Sequence, residues 1–150
     1  MDKNPDEVLT QVVGDILESQ AFMFSDPLDE LPSFPGDSLL VAMHFSGPFQ
    51  GELSMAIPVE LCAEVAANML GLEPDDELAE HRAHDAVKEL LNVACGHVLT
   101  ELAGEEPVFD LAVPTVMPMD ELEWIKFINS AGCVALSIDD APLVVRLVMQ

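Results

Sequence analysis

ELAEHRAHDAVKELLNVACGHVLTEL, residues 77–102, is the longest periodic segment in the chain, and no proline interrupts it. Asp75 and Asp76 supply caps before it and Gly104 stops it, so the spacing predicts one long helix. On a wheel with about 100° per residue, Val87, Leu90, Ala94 and Val98 lie between about 140° and 220° from Asp85. That side packs inward. Glu89, Asn92 and Gly96 fall within about 40° of Asp85 and form a polar stripe directed to solvent.

Working outward, Pro58 to Leu70 reads as a shorter helix with Leu61, Cys62, Val65, Ala66 and Met69 inward, and Gly71 suits its C′ position. Before it, Ser38 to Phe45 and Gln50 to Ile57 are apolar arms joined by Ser46-Gly47-Pro48-Phe49, a hairpin pattern. Residues 26–37 hold Pro27, Pro32, Pro35 and Gly36 and read as a surface connection. An opening helix over residues 5–22 is predicted by Asn4 as N-cap, Pro5 at the first position, and Val8, Leu9, Val12, Val13, Ile16 and Leu17 at helical spacing.

Beyond the long helix, strands are predicted near Val108–Val116, Gly132–Ile138 and Leu143–Met149, with Asp139-Asp140 turning between the last two. Asp120 to Ile128 fits no single period. No internal repeat is visible. The simplest arrangement is an α/β domain of the α+β kind, with two layers: a mainly antiparallel sheet and helices packed on one face. Leu143–Met149 is broken only by Arg146, and at a sheet edge it would invite pairing with a second copy, a homodimer.

A chain of 150 residues and 16.2 kDa has room for one domain, residues 1–150. Half its residues are hydrophobic and its mean hydropathy is +0.30, which excludes intrinsic disorder. Five Lys plus Arg against 28 Asp plus Glu leave a net charge of −23, a field that repels nucleic acid and anionic membranes. No apolar run is long enough to span a bilayer and the start lacks a secretory h-region, so a cytoplasmic location is expected. Cys62, Cys95 and Cys133 are odd in number and set among apolar residues, which fits reduced thiols.

Glu89 and Asn92 rise about 4.5 Å apart along the helix axis and point the same way, a two-pronged probe. Gly96 costs a helix interior about 1 kcal/mol relative to Ala; it either lets another surface approach the backbone or packs under a bulky neighbour. His81 and His84 have a spacing that can bring two imidazoles to one metal, yet no third ligand stands out. His44 and His97 read as structural. No nucleophile elbow, P-loop or dinucleotide fingerprint occurs. Met117-Pro118-Met119 and Met149 read as gap fillers, and Trp124, the only tryptophan, as packed against the sheet.

Asp85-Ala-Val-Lys-Glu89-Leu-Leu-Asn92 resembles the Asp/Ser-x3-Glu-x2-Asn signature of the CheC/CheX/FliY family of chemotaxis phosphatases. The order of elements is similar to that family's domain over nearly the whole chain, and Pro114 is the candidate for its downstream proline. The first helix offers Asp15 and Glu18 without a second Glu-x2-Asn, so the chain looks like the single-motif, CheX-like branch.

The resemblance implies a hydrolase that speeds loss of the aspartyl phosphate from a CheY-type response regulator. Asn92 would orient the attacking water, and Glu89 would engage the receiver's lysine. Asp85 and Gly96 would serve docking. No cofactor of its own is implied; Mg²⁺ belongs to the partner receiver, and a homodimer is implied as well. An amide suits the task because it offers a donor and an acceptor without adding charge among carboxylates and phosphoryl oxygens. The alternative is a non-catalytic CheX-like module that binds a receiver domain or signalling complex. A metal-dependent hydrolase using His81 and His84 is a third reading.

Overall fold

The computed structural model describes residues 3–73 and 75–150. The elements run α1 (Pro5–Ala21), β1 (Asp26–Pro27), β2 (Ser38–Ser46), β3 (Gly51–Pro58), α2 (Val59–Leu70), α3 (Glu77–Ala103), β4 (Asp110–Leu111), β5 (Thr115–Met119), α4 (Glu121–Ile128), β6 (Cys133–Ile138) and β7 (Ala141–Met149). Asn4 caps α1 by accepting a hydrogen bond from the Asp6 amide at 2.9 Å. Asp76 caps α3 through the Leu78 amide at 2.9 Å. Each side chain satisfies a backbone donor that the first turn leaves open.

The strands form one antiparallel sheet in the order β1-β6-β7-β3-β2-β4, with β5 also on β2. Alternation along the strands sends Leu53, Met55, Ile57, Leu143, Val145 and Leu147 to one face, where α1, α2 and α3 cover them in the main core. These three helices form the layer on one face of an antiparallel sheet that periodicity predicts. The segment that fitted no single period is α4, closed by a capping box between Asp120 and Glu123. It packs on the opposite face, where Trp124, Ile128 and Met119 meet Ala56 and Val144. Trp124 is fully buried, and its indole donates to the Pro32 carbonyl at 3.1 Å.

Two expectations are corrected. The strand predicted over Val108–Val116 is two pieces, β4 and β5, divided at residues 112–114, where Pro114 has no amide to give a ladder. The strand holding Leu143–Met149 is not an edge: β7 pairs with β3 on one side and β6 on the other. A homodimer built by strand addition through β7 is thereby closed.

The connectivity carries a repeat that the residues do not show. β3 and β7 lie antiparallel at the sheet centre, each the second arm of a hairpin. The strand after α1 completes the second hairpin by pairing with β6, and the strands after α3 complete the first by pairing with β2. α1 and α3 are thus topological counterparts. Matching their C-caps, Phe22 and Gly104, gives an offset of 104 − 22 = 82 residues. That offset superposes the buried positions Val8 on Leu90, Leu9 on Leu91, Ile16 on Val98 and Leu17 on Leu99.

Candidate functional site

α3 holds the candidate residues on a helix anchored along its inner side. Val87, Leu90, Ala94 and Val98 are at most 4% exposed, in the core, as the wheel requires. Asp85, Glu89 and Asn92 are all exposed on the outer side. A Cβ added to Gly96 would meet no atom within 4 Å, apart from its own helix's backbone and chain neighbours. The packing alternative for Gly96 is removed: the glycine bares helix backbone one turn beyond Asn92. Thr100 turns its hydroxyl onto the Gly96 carbonyl at 3.0 Å, so this turn of helix keeps its own polar groups occupied.

Beside the stripe lies a notch of about 260 Å³ lined by Gln20, Met69, Leu70, Arg82, Asp85, Ala86 and Glu89. The C-terminal ends of α1 and α2 make one wall, and α3 the other. Asp85 and Glu89 belong to this notch, whereas Asn92 stands farther along the helix, outside it. Arg82 was missed when the sequence was read for acids and amides. The wheel places it about 60° from Asp85 on the same outer side, and that signal would have found it.

α1 explains why one helix carries the constellation and its counterpart does not. With the 82-residue offset, Glu7 takes the place of Glu89, Thr10 that of Asn92 and Gly14 that of Gly96. These, rather than Asp15 and Glu18, are the corresponding positions. Thr10 has no amide, and its hydroxyl donates to the Asp6 carbonyl at 2.8 Å. A Cβ on Gly14 would stand 3.3 Å from Ser25 Oγ, so the chain after α1 closes over the backbone that α3 leaves open.

The rival groups find little support. His81 and His84 are exposed, and among the described residues no three His, Cys, Asp or Glu side chains converge as metal ligands. His44 and His97, read as structural, are also exposed; His44 Nε2 lies 3.3 Å from a Glu52 carboxylate oxygen. The cysteines are free thiols, and burial pushes both Cys62 and Cys95 up to about 12, leaving them inert near neutrality. Two larger grooves of about 650 and 700 Å³ run along α1, the second between it and His97 and Glu101 of α3, and Asn92 lines neither. Among the described residues no helix is long and apolar enough to cross a membrane.

The fold matches that of known proteins. A CheX from Vibrio vulnificus shares the fold with a TM-score of 0.73 at 18% identity, over 99% of this chain and 97% of that one. The CheX of Borrelia burgdorferi, solved as a CheX–CheY–BeF3–Mg²⁺ complex, has a TM-score of 0.70 at 20% identity over 98% of each chain. A CheX from Desulfovibrio desulfuricans gives 0.71 at 15% identity, covering 97% of this chain and 99% of that one. No curated protein matches the chain. The family model described as chemotaxis phosphatase CheX matches residues 39–140, a span that contains the whole of α3 and the central strand β3. The chain therefore belongs to the CheX family of chemotaxis phosphatases.

Proposed function

We propose that this chain accelerates hydrolysis of the aspartyl phosphate on a CheY-type receiver, with Asn92 orienting the attacking water and Glu89 holding the receiver's lysine. The observation that carries the reading is the open approach at Gly96, in line with an exposed Asn92 on a helix fixed by its buried face. A probe that must enter another protein's cleft needs a rigid base and a clear path, and α3 has both. The CheX of Borrelia burgdorferi, in complex with CheY, BeF3 and Mg²⁺, supports a receiver as the partner.

An acyl phosphate is already activated, so what remains is to place water in line with the breaking P–O bond and to steady the spread charge. The Asn92 amide offers a carbonyl to accept a proton of that water and an N–H to face a phosphoryl oxygen. Water attacks phosphorus, the bond to the receiver's carboxylate breaks, and inorganic phosphate leaves. Mg²⁺ belongs to the receiver and neutralises the phosphoryl oxygens there. Glu89 accepts a charge-assisted hydrogen bond from the lysine and sets the depth of insertion. Asp85 and Gly96 shape the docking face.

The test is the lifetime of the phosphoryl group on a CheY-type receiver phosphorylated with acetyl phosphate, with and without catalytic amounts of this chain. Substoichiometric chain shortens it if the reading holds. A binder without catalysis would leave the lifetime unchanged or lengthen it, and that result would overturn the proposal.

A further inference from the structure

A chain with 28 acidic residues has few cations to place, and where they stand is informative. Of the five, Lys3 pairs with Glu101 at 2.6 Å, and Arg146 donates to the Ala131 carbonyl at 2.9 Å. Lys126 lies on α4, the helix on the face of the sheet opposite to α3. Arg82 and Lys88 remain. Both are on α3, at about +60° and −60° from Asp85, so they flank the Asp85–Glu89–Asn92 stripe on either side. Among the described residues neither makes an ion pair, although Asp85 stands one turn from Arg82.

The partner's chemistry says what such a pair is for. A cleft that binds Mg²⁺ offers oxygen ligands, chiefly carboxylates, because the ion is small and hard. A receiver of that kind presents an acidic rim to a chain whose own net charge is −23, and the two repel. At physiological salt the screening length is about 8 Å, so only charges at the contact itself can offset that repulsion. Arg82 also lines the notch, together with Met69, Leu70 and Ala86 and with the acidic Asp85 and Glu89 of the stripe. Its planar fork suits a carboxylate better than a point charge would.

We propose that Arg82 and Lys88 form a cationic bracket around the catalytic stripe that docks the carboxylate-bearing rim of the receiver's Mg²⁺ cleft. This rests on the function proposed above. The bracket acts on encounter and affinity, while Asn92 acts on the chemical step.

The experiment measures phosphate release against concentration of a CheY-type receiver phosphorylated with acetyl phosphate, at about 50 mM and about 500 mM NaCl, a range over which screening shortens severalfold. The double variant R82E/K88E raises KM about tenfold at the lower salt with kcat held, and the gap narrows at the higher salt. Arg82→Gln alone gives a smaller rise, about threefold, and keeps the proposal testable if the double variant folds poorly. Asn92→Ala is run alongside and lowers kcat. Unchanged KM at low salt in R82Q and R82E/K88E, with Asn92→Ala impaired, overturns the bracket and leaves the site standing. Unimpaired Asn92→Ala removes the reading on which the bracket rests.

Discussion

Gly96 stands one turn beyond Asn92 on the outer side of α3, and nothing outside the local helix backbone lies within 4 Å of where its side chain would begin. The counterpart glycine on α1, Gly14, has Ser25 Oγ 3.3 Å from that point. Two helices with matching buried faces thus differ in whether a second protein can reach them. The same position that weakens α3 as a helix makes it accessible.

That relation gives a pair of opposed outcomes at one residue. Gly96→Ala raises stability by about 0.5–1 kcal/mol, since Ala is the better helix former and its methyl meets nothing. Gly96→Trp leaves the fold intact but blocks close approach and removes phosphatase activity. Thermal unfolding and phosphate release on the same samples check both. Equal activity in the tryptophan variant would show that the backbone at Gly96 is not approached.

Glu89→Gln keeps the shape of the side chain and removes the charge proposed to take the receiver's lysine. A charge-assisted hydrogen bond contributes about 1.5–3 kcal/mol, so kcat/KM falls by about 10- to 100-fold. The loss is smaller against a receiver whose lysine is itself replaced, because the bond is then already absent. A double-mutant cycle reads that coupling directly.

Trp124 joins α4 to the connection before β2, through its hydrogen bond to Pro32 and an edge contact with Phe34 at a ring separation of 6.0 Å. Trp124→Ala costs about 3–5 kcal/mol, enough to threaten the fold. In the native chain the single tryptophan emits at short wavelength, as a fully buried indole does, and shifts to the red on unfolding. Chemical denaturation followed by fluorescence tests both statements.

Cys62 and Cys95, pushed up to about 12 by burial, make stability depend on alkaline pH. Unfolded thiols titrate near ~8.5, so between about pH 8.5 and 12 the native state holds protons that the unfolded chain has released. The contribution is complete below that window and declines as pH rises through it. Denaturation midpoints fall from pH 8 to pH 11, and the fall is shallower in Cys62→Ala. Iodoacetamide at pH 8 modifies neither thiol until the chain unfolds.

Much of the fold was legible because its signals are local. The α1 and α3 caps, the β2–β3 hairpin and the inward faces of α1, α2 and α3 follow from spacing and cap chemistry, and they stand where periodicity placed them. α4 escaped because eight residues give barely two turns of periodicity, and Trp124, Phe127 and Ile128 read as well in a strand. The turn at Asp139-Asp140 announces the pairing of β7 with β6, but its second partner could not be read. An apolar strand looks the same at an edge and between two partners when the second partner, here β3, is distant in sequence.

The candidate stripe was legible for the same local reason: four residues on one helix declare their common side through the 3.6-residue period. The notch was not, since Gln20, Met69 and Leu70 reach it from two other helices. The α1 counterpart was hidden as well. Thr10 and Glu7 spell no motif, and only the shared caps and strand pairing reveal which positions they occupy.

The most direct measurement is the phosphate-release rate from an acetyl phosphate-labelled CheY-type receiver with Asn92→Ala, set against the unaltered chain at equal concentration. Ala favours the helix and the side chain is exposed, so melting temperature should hold while catalysed release drops to the receiver's own rate. Retention of full acceleration by a folded Asn92→Ala protein would contradict the assignment of water placement to Asn92.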